Sequence, residues 1–355
     1  MGENNNKSEV YLCSACGANM QYDISSKSLK CAYCGNTEEI IDEGEIKEYS
    51  FYHIEEDEVN SKWNDEVTVV KCESCGAETV ADKAATAIKC SYCGSSHVLD
   101  SKQTAGIRPE GVIPFSIDGY KAEELIGNWM KKRWMSPNDL KHLYQSDKLQ
   151  AVYVPYWTYD ANTYSSYHGR GGEVYYETET DDEGEEHTVE RVLWYSVSGI
   201  VDEFFDDILV NASNNYNQSL MNSIEPFNTQ AIKSYNPQYL SGYLAERYQV
   251  GVKECFSFAK SKMEVSIESL AREQILRRYD RAEISSINTN YSNVTYKHVL
   301  LPIWSAYYMY KGKKYQYIIN GETGEVQGQA PTSWVKVTLL IIVAIIIFVV
   351  IYNLA

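Results

Sequence analysis

The chain of 355 residues carries 49 Asp and Glu against 32 Lys and Arg, a formal net charge of −17 at pH 7. A length of this order admits more than one domain. Nucleic-acid binding draws its affinity from phosphates neutralised by Lys and Arg, and the basic stripe this needs is missing, which argues against a nucleic-acid ligand.

Residues 1–9 are polar and read as a disordered start. Met1 to Val10 lack the apolar stretch of an export signal, and Asn6 stands where an N-myristoylation motif needs Ser or Thr. Four Cys-x-x-Cys pairs follow: Cys13 with Cys16, Cys31 with Cys34, Cys72 with Cys75, and Cys90 with Cys93. A glycine follows each (Gly17, Gly35, Gly76, Gly94), and 14 residues separate the pairs within each half. This is an internal duplication of a four-thiolate site with zinc-ribbon spacing.

The chemistry explains the spacing. Two intervening residues let a tight turn aim both sulfurs at one ion, and the glycine permits the positive φ that closes the turn. Four thiolates with no open position make a closed structural site, so two Zn2+ ions are expected, one per ribbon (10–36 and 69–100). Modules this small rely on the metal for most of their folding free energy. A rubredoxin-like iron site uses similar turns, and ligand softness favours zinc. A disulfide framework would need export, and a thioredoxin-type redox pair would be single.

Between the ribbons, residues 37–68 hold twelve Asp or Glu against Lys47 and Lys62, and read as a solvated acidic linker. Residues 105–330 are long enough for one α+β domain with a Tyr- and Trp-rich β-sheet. Ala122, Leu125, Ile126, Trp129 and Met130 recur at helical spacing and predict a helix over 121–134. Ser136-Pro137 ends it, and a short helix is expected over 138–144. From Ala151 to about Val210 strand formers dominate, with a hairpin turn expected at the acidic tip 181–186. That tip lacks the alternating ligand order of a calcium loop.

An amphipathic helical region is expected over 241–279, with Met263, Ile267, Leu270 and Ile275 on one face and Gly251 as an interruption. The ninth cysteine, Cys255, shares a helical face with Leu244, Tyr248, Val252 and Phe256 and reads as a small buried hydrophobe. A fainter repeat aligns 152–158 (VYVPYWT) with 299–305 (VLLPIWS), predicting two related β units, each begun by a Pro-x-Trp strand at an edge or first position.

Residues 337–355 carry no charge and are rich in Ile, Val and Leu. Nineteen residues rise roughly 28 Å as a helix, enough to cross a hydrocarbon core, so 335–355 is expected to be a transmembrane tail anchor. Trp334 and Tyr352 fit interfacial positions. Lys311, Lys313, Lys314 and Lys336 favour the cytoplasmic side for the preceding residues, as does the need to keep eight metal-binding thiols reduced.

The paired ribbons, the segments 152–157 (VYVPYW) and 239–248 (YLSGYLAERY), and Leu301-Pro302-Ile303-Trp304 with 320–324 (NGETG) resemble those of bacterial TFIIB-type zinc-ribbon membrane proteins. The resemblance covers nearly the whole chain. It implies a C-terminally membrane-anchored protein and an association with membrane-stress proteins of the phage-shock and SPFH type. Some members carry a primosomal-helicase label. No G-x-x-x-x-G-K-[ST] phosphate loop exists here to support it.

The expected function is therefore that of an adaptor docking protein partners at the membrane, with nucleic-acid recognition by the ribbons as the alternative. A catalytic role is not expected. His168, in a glycine-rich stretch, reads as a loop histidine, and the other five histidines form no defensible pattern with carboxylates.

Overall fold

Two strands of about thirty residues each, paired with one another, are the spine of the molecule. The computed structural model describes residues 11–18, 20–42, 44–54, 107–137, 149–180, 184 and 186–354, with the backbone of five short strands between 68 and 102. The expectations for 1–9, for Cys72, Cys75, Cys90 and Cys93, for a helix over 138–144 and for most of the acidic tip lie outside these residues.

Strands β1 (Met20–Asp23), β2 (Ser28–Cys31) and β3 (Thr37–Glu38) form a small antiparallel sheet. Twelve strands form the main sheet: β4 (Tyr49–Ser50), β5 (Thr68–Lys71), β6 (Glu78–Ala81), β9 (Ser101–Lys102), β10 (Gly111–Val112), β11 (Gln150–Thr180), β12 (Glu186–Asn211), β13 (Lys233–Ser234), β14 (Leu244–Glu246), β15 (Arg281–Tyr310), β16 (Lys313–Asn320) and β17 (Val326–Gly328). β7 (Ile88–Lys89) and β8 (Ser96–His97) pair separately. The described helices are α1 (Gly119–Lys132), α2 (Gln218–Asn222), α3 (Val252–Leu276) and α4 (Trp334–Leu354). The central domain is thus mostly β, with fewer helical residues than the sequence reading assigns to it.

α1 begins two residues before the predicted start because Asp118 caps it, accepting from Lys121 N at 2.7 Å. Ala122, Ile126 and Met130 bury one face, and Trp134 falls beyond the end. The predicted 241–279 helix is a larger correction. Residues 244–246 are a strand, parallel to β11 at Val152 and Tyr153 and antiparallel to β6 at Thr79 and Val80. Strand pairing on both sides outweighs local helical periodicity there. Gly251 is the N-cap of α3, not an interruption. Leu244 and Tyr248 therefore lie off the helical face of Cys255, which is buried with Val252 and Phe256.

α3 lays Val252, Phe256, Ala259, Met263, Ile267, Ala271 and Ile275 into a core with Trp157, Tyr159, Val201, Phe205 and Tyr296. The β11–β12 hairpin runs in unbroken antiparallel register from Ala161–Phe205 to Thr180–Glu186. His168 sits inside that ladder, exposed and opposite Ser198, so it is a strand residue and not part of a loop.

The faint sequence repeat is a structural duplication. β11 and β15 cross antiparallel with Val154 opposite Leu301, residues that also correspond in the aligned repeat. Around this point four features occur twice. β14 pairs parallel with β11 at Val152 and Tyr153, and β10 pairs parallel with β15 at Val299 and Leu300. Trp157 Nε1 donates to Val250 O at 3.0 Å, just before α3, and Trp304 Nε1 donates to Ile117 O at 2.8 Å, just before α1. Pro155 O accepts from Ala212 N, and Pro302 O accepts from Gly321 N. Asn211 and Asn320, which end the returning strands, are both buried and donate from Nδ2 to the chain beyond or beside them. Each unit is a short strand, a helix and a hairpin, and each lends its short strand to the other unit's long one.

The prolines are neither edge nor first residues. Each lies inside a long strand, one position past the end of its hairpin partner's ladder, where no hydrogen bond is asked of its missing N–H.

Residues 37–54 are not a free spacer. Ile40 and Ile54 are buried, β4 pairs with β15, and the Phe51 and Phe256 rings lie 4.5 Å apart. Apolar residues interleaved with the acidic ones fasten this half of the segment to the sheet.

Candidate metal centre

Cys13 and Cys16 lie on one tight turn, and Cys31 and Cys34 on a second. Gly17 N donates to Cys13 O at 2.8 Å and Gly35 N to Cys31 O at 2.9 Å, closing both turns. Gly17 and Gly35 have φ of 73° and 76°, the left-handed region a side chain resists, as the sequence spacing requires. The β1–β2 hairpin carries the second turn back, with Met20 opposite Cys31.

The four sulfurs converge. Cys13 Sγ and Cys34 Sγ lie 3.5 Å apart, Cys16 Sγ and Cys31 Sγ 3.6 Å, and all four sit within 4.8 Å of one another. A tetrahedron of metal–sulfur bonds of about 2.3 Å has edges of about 3.8 Å, so the group is sized for a thiolate-bound metal. All five described cysteines are free thiols.

Electrostatics point the same way. Burial opposes ionisation of Cys13, but the Ala15 and Cys16 N–H groups and the Cys34 and Cys16 thiols outweigh it and bring it down to about 6. The Ala18 N–H favours ionised Cys16, yet the Cys34 thiol, burial and the Cys31 and Cys13 thiols push it up to about 12. The Cys34 N–H and further donors lower Cys31 against its burial; for Cys34 the Asn36 N–H and the Cys16 thiol favour ionisation, but the Cys13 thiol, burial and the Cys31 thiol outweigh them and raise it. Without a cation the thiols cannot all ionise together; a divalent ion removes that conflict. Asn36 Nδ2 approaches Cys13 Sγ at 3.6 Å, and Glu38 accepts from Ser14 N and Oγ. These contacts brace the first turn.

The centre is fastened to the main sheet. Tyr22 N donates to Ser241 O at 3.0 Å, Ser241 Oγ to Met20 O at 2.8 Å, and Tyr239 Oη to Asp42 at 2.7 Å. Tyr22 lies edge-on to Tyr239 at 5.4 Å. Segment 239–248 is a clip: one end holds the β1–β3 sheet, Leu244 and Ala245 join β11, Ala245 and Glu246 join β6, and Tyr248 packs on Trp157. Between the small sheet and the main sheet, Gln21, Tyr22, Gln150, Tyr243 and Trp304 line an open cavity of about 350 Å³.

Cys72, Cys75, Cys90 and Cys93 lie outside the described residues, but the neighbouring backbone is informative. β7 and β8 pair as Ile88–His97 and Lys89–Ser96. That is the β2–β3 register, Leu29–Glu38 and Lys30–Thr37, carried 59 positions along the chain.

A second convergence of donors was not anticipated from the sequence. Asp160, Asp206 and Asp207 cluster beside β4. Lys297 Nζ stands 2.6 Å from Asp207 and 2.8 Å from Glu48, and Asp160 accepts from Thr295 Oγ1 at 2.7 Å. Burial would lower Lys297, but the Asp207 and Glu48 carboxylates outweigh it and raise it, while burial raises Asp160. Lys297 supplies the positive charge here, so the cluster is an internal ion network. The sequence carries no readable signal of it, because the partners lie far apart along the chain.

Among known proteins, the chain is 29% identical over 338 residues to the uncharacterised protein YdjG of Bacillus subtilis strain 168, covering 92% of this chain and 91% of that one. No protein-family profile and no solved structure matches.

Proposed function

We propose that the protein is a membrane-anchored adaptor, held by α4, whose two zinc ribbons dock protein partners on the cytoplasmic face. The observation that carries this reading is the closed Cys13/Cys16/Cys31/Cys34 centre fixed to the sheet through 239–246. A rigidly mounted structural metal site serves recognition and leaves no open position for chemistry. Tyr33, on the second metal turn, is 85% exposed, an aromatic of the kind that anchors protein interfaces.

The repeated β7–β8 register supports a second ribbon on Cys72, Cys75, Cys90 and Cys93. Trp334–Tyr352, with none of its length buried in the protein, is long and apolar enough to cross a membrane. Thiolate chemistry and the Lys residues before α4 support the cytoplasmic side. The resemblance to TFIIB-type zinc-ribbon membrane proteins supports partners of the phage-shock and SPFH type.

The test is crosslinking of the full chain in its native membrane, followed by purification. A protein recovered with the wild type and lost from Tyr33→Ala and Cys13→Ser variants is the expected result. Identical recovery from all three overturns the docking role. Salt-sensitive micromolar binding of DNA or RNA by the full chain would transfer the ribbons to the nucleic-acid alternative.

A further inference from the structure

The base of the β domain is tied to the first turn of the apolar helix. Lys336 Nζ donates to Trp134 O at 2.8 Å and Ser136 O at 2.7 Å, and Ser333 N donates to Met135 O at 2.9 Å. The turn after α1 therefore lies at the level where α4 begins. The β15–β16 hairpin tip belongs to the same end. α1 starts with Gly119 beside the Trp304 ring, and Met130 near its end shares a core cluster with Tyr308, near the turnward end of β15. Tyr308 Oη in turn donates to Gln329 O at 3.0 Å, close before α4.

The chemistry of this end is unlike the rest of the chain. Lys131 and Lys132 close α1, Arg133 follows with its guanidinium 3.8 Å from the Trp129 ring centre, and Lys311 and Lys313 flank the exposed tip. Segments 129–137, 307–316 and 328–340 contain no Asp or Glu, in a chain with 49. Large apolar side chains stand out between the cations: Trp134 is 62% exposed, Met309 52% and Trp334 79%. Cations interleaved with exposed Trp, level with the start of a membrane helix, match an interface of anionic headgroups over acyl chains.

We propose that the α1 C-terminal turn and the β15–β16 tip form a second membrane contact, a platform on which the β domain rests against anionic lipid headgroups. The proposal rests on α4 spanning the bilayer. It fixes the domain's orientation, with the α1 C-terminal turn and the β15–β16 tip, the segments without Asp or Glu, laid on the anionic leaflet.

The experiment is amide hydrogen exchange on the full chain in nanodiscs of phosphatidylcholine alone and of phosphatidylcholine with phosphatidylglycerol. Alkaline extraction from membranes is measured separately to report insertion of α4. The expected result is that exchange at 131–136 and 311–313 slows at least about fivefold when phosphatidylglycerol is present, the factor that one Lys or Arg at an anionic surface supplies. A Lys131→Glu/Lys132→Glu/Lys311→Glu variant should insert normally and lose that protection. Equal exchange in both discs, with α4 inserted, overturns the platform and leaves the anchor standing. Release of the wild type at alkaline pH overturns both.

Discussion

Val154 lies directly opposite Leu301 in the β11–β15 ladder, and the two are also the residues that correspond when the Pro-x-Trp segments are aligned. A repeated segment that pairs antiparallel with its own copy, with one residue facing its own counterpart, defines a local two-fold axis. The two tryptophans are the symmetric bolts of that arrangement, each donating to the carbonyl just before the other unit's helix.

Truncating these bolts should therefore injure the fold by the same mechanism to different degrees. Trp157 is fully buried, and Trp157→Ala should cost about 3–5 kcal/mol. Trp304 is partly exposed at the cavity beside the β1–β3 sheet, so Trp304→Ala should cost less. Phe substitutions keep most of the packing and lose the indole donor, leaving a cost on the order of 1–3 kcal/mol for the orphaned carbonyl. Denaturant titration of the detergent-solubilised protein measures each, and equal costs for the two Ala variants would contradict the burial argument.

What could be read from the sequence follows from how local each signal is. The Cys-x-x-Cys-Gly turns are complete within five residues, so Cys13 to Gly17 and Cys31 to Gly35 fold as their spacing says. α1 and α4 carry their own periodicity or uniform apolarity. The strand at Leu244–Glu246 could not be read locally, because its conformation is imposed by β11 and β6, distant in sequence. Asp160 and Lys297 carried no readable signal, because their partners Asp207 and Glu48 come from β12 and from the segment before β4, distant in sequence. The Pro-x-Trp repeat showed a duplication but not that the copies interlock.

Metal content gives the next expectation. The purified full chain should hold two zinc ions, and Cys13→Ser or Cys31→Ser should reduce this to one, because each removes a ligand from the described centre and leaves Cys72, Cys75, Cys90 and Cys93 intact. Elemental analysis reads the stoichiometry and separates zinc from iron. A wild-type chain without stoichiometric metal would remove the structural role assigned to the thiolates.

His298 should make the protein acid-sensitive. It is fully buried in β15, its Nδ1 3.0 Å from Ile107 O, and burial brings it from 6.5 down to about 4, against the Ile107 and Arg108 carbonyls. The unfolded chain therefore takes up a proton near pH 6.5 that the folded chain refuses until about pH 4. Stability is complete above 6.5 and falls as the pH drops through that window, by about 2 kcal/mol at pH 5. Comparison with the non-titrating His298→Asn variant isolates this slope, since metal loss at low pH affects both proteins alike. Equal pH slopes would mean that the histidine titrates normally in the folded state.

Glu246 should act in the opposite direction. Its carboxyl is fully buried in β14, where Ser213 Oγ and Asn215 Nδ2 donate to Oε2 at 2.5 and 3.2 Å, and burial raises it well above 4.5. A carboxyl that holds its proton when folded and releases it when unfolded contributes stability at low pH. That contribution is lost as the pH climbs above 4.5, until the folded carboxyl also ionises. Glu246→Gln keeps the shape and a polar head but cannot ionise in either state. Its stability relative to wild type should therefore rise steadily from pH 5 to pH 8, visible as a growing difference in thermal midpoint. A constant difference across that range would show that Glu246 is charged in the fold and that some group compensates it.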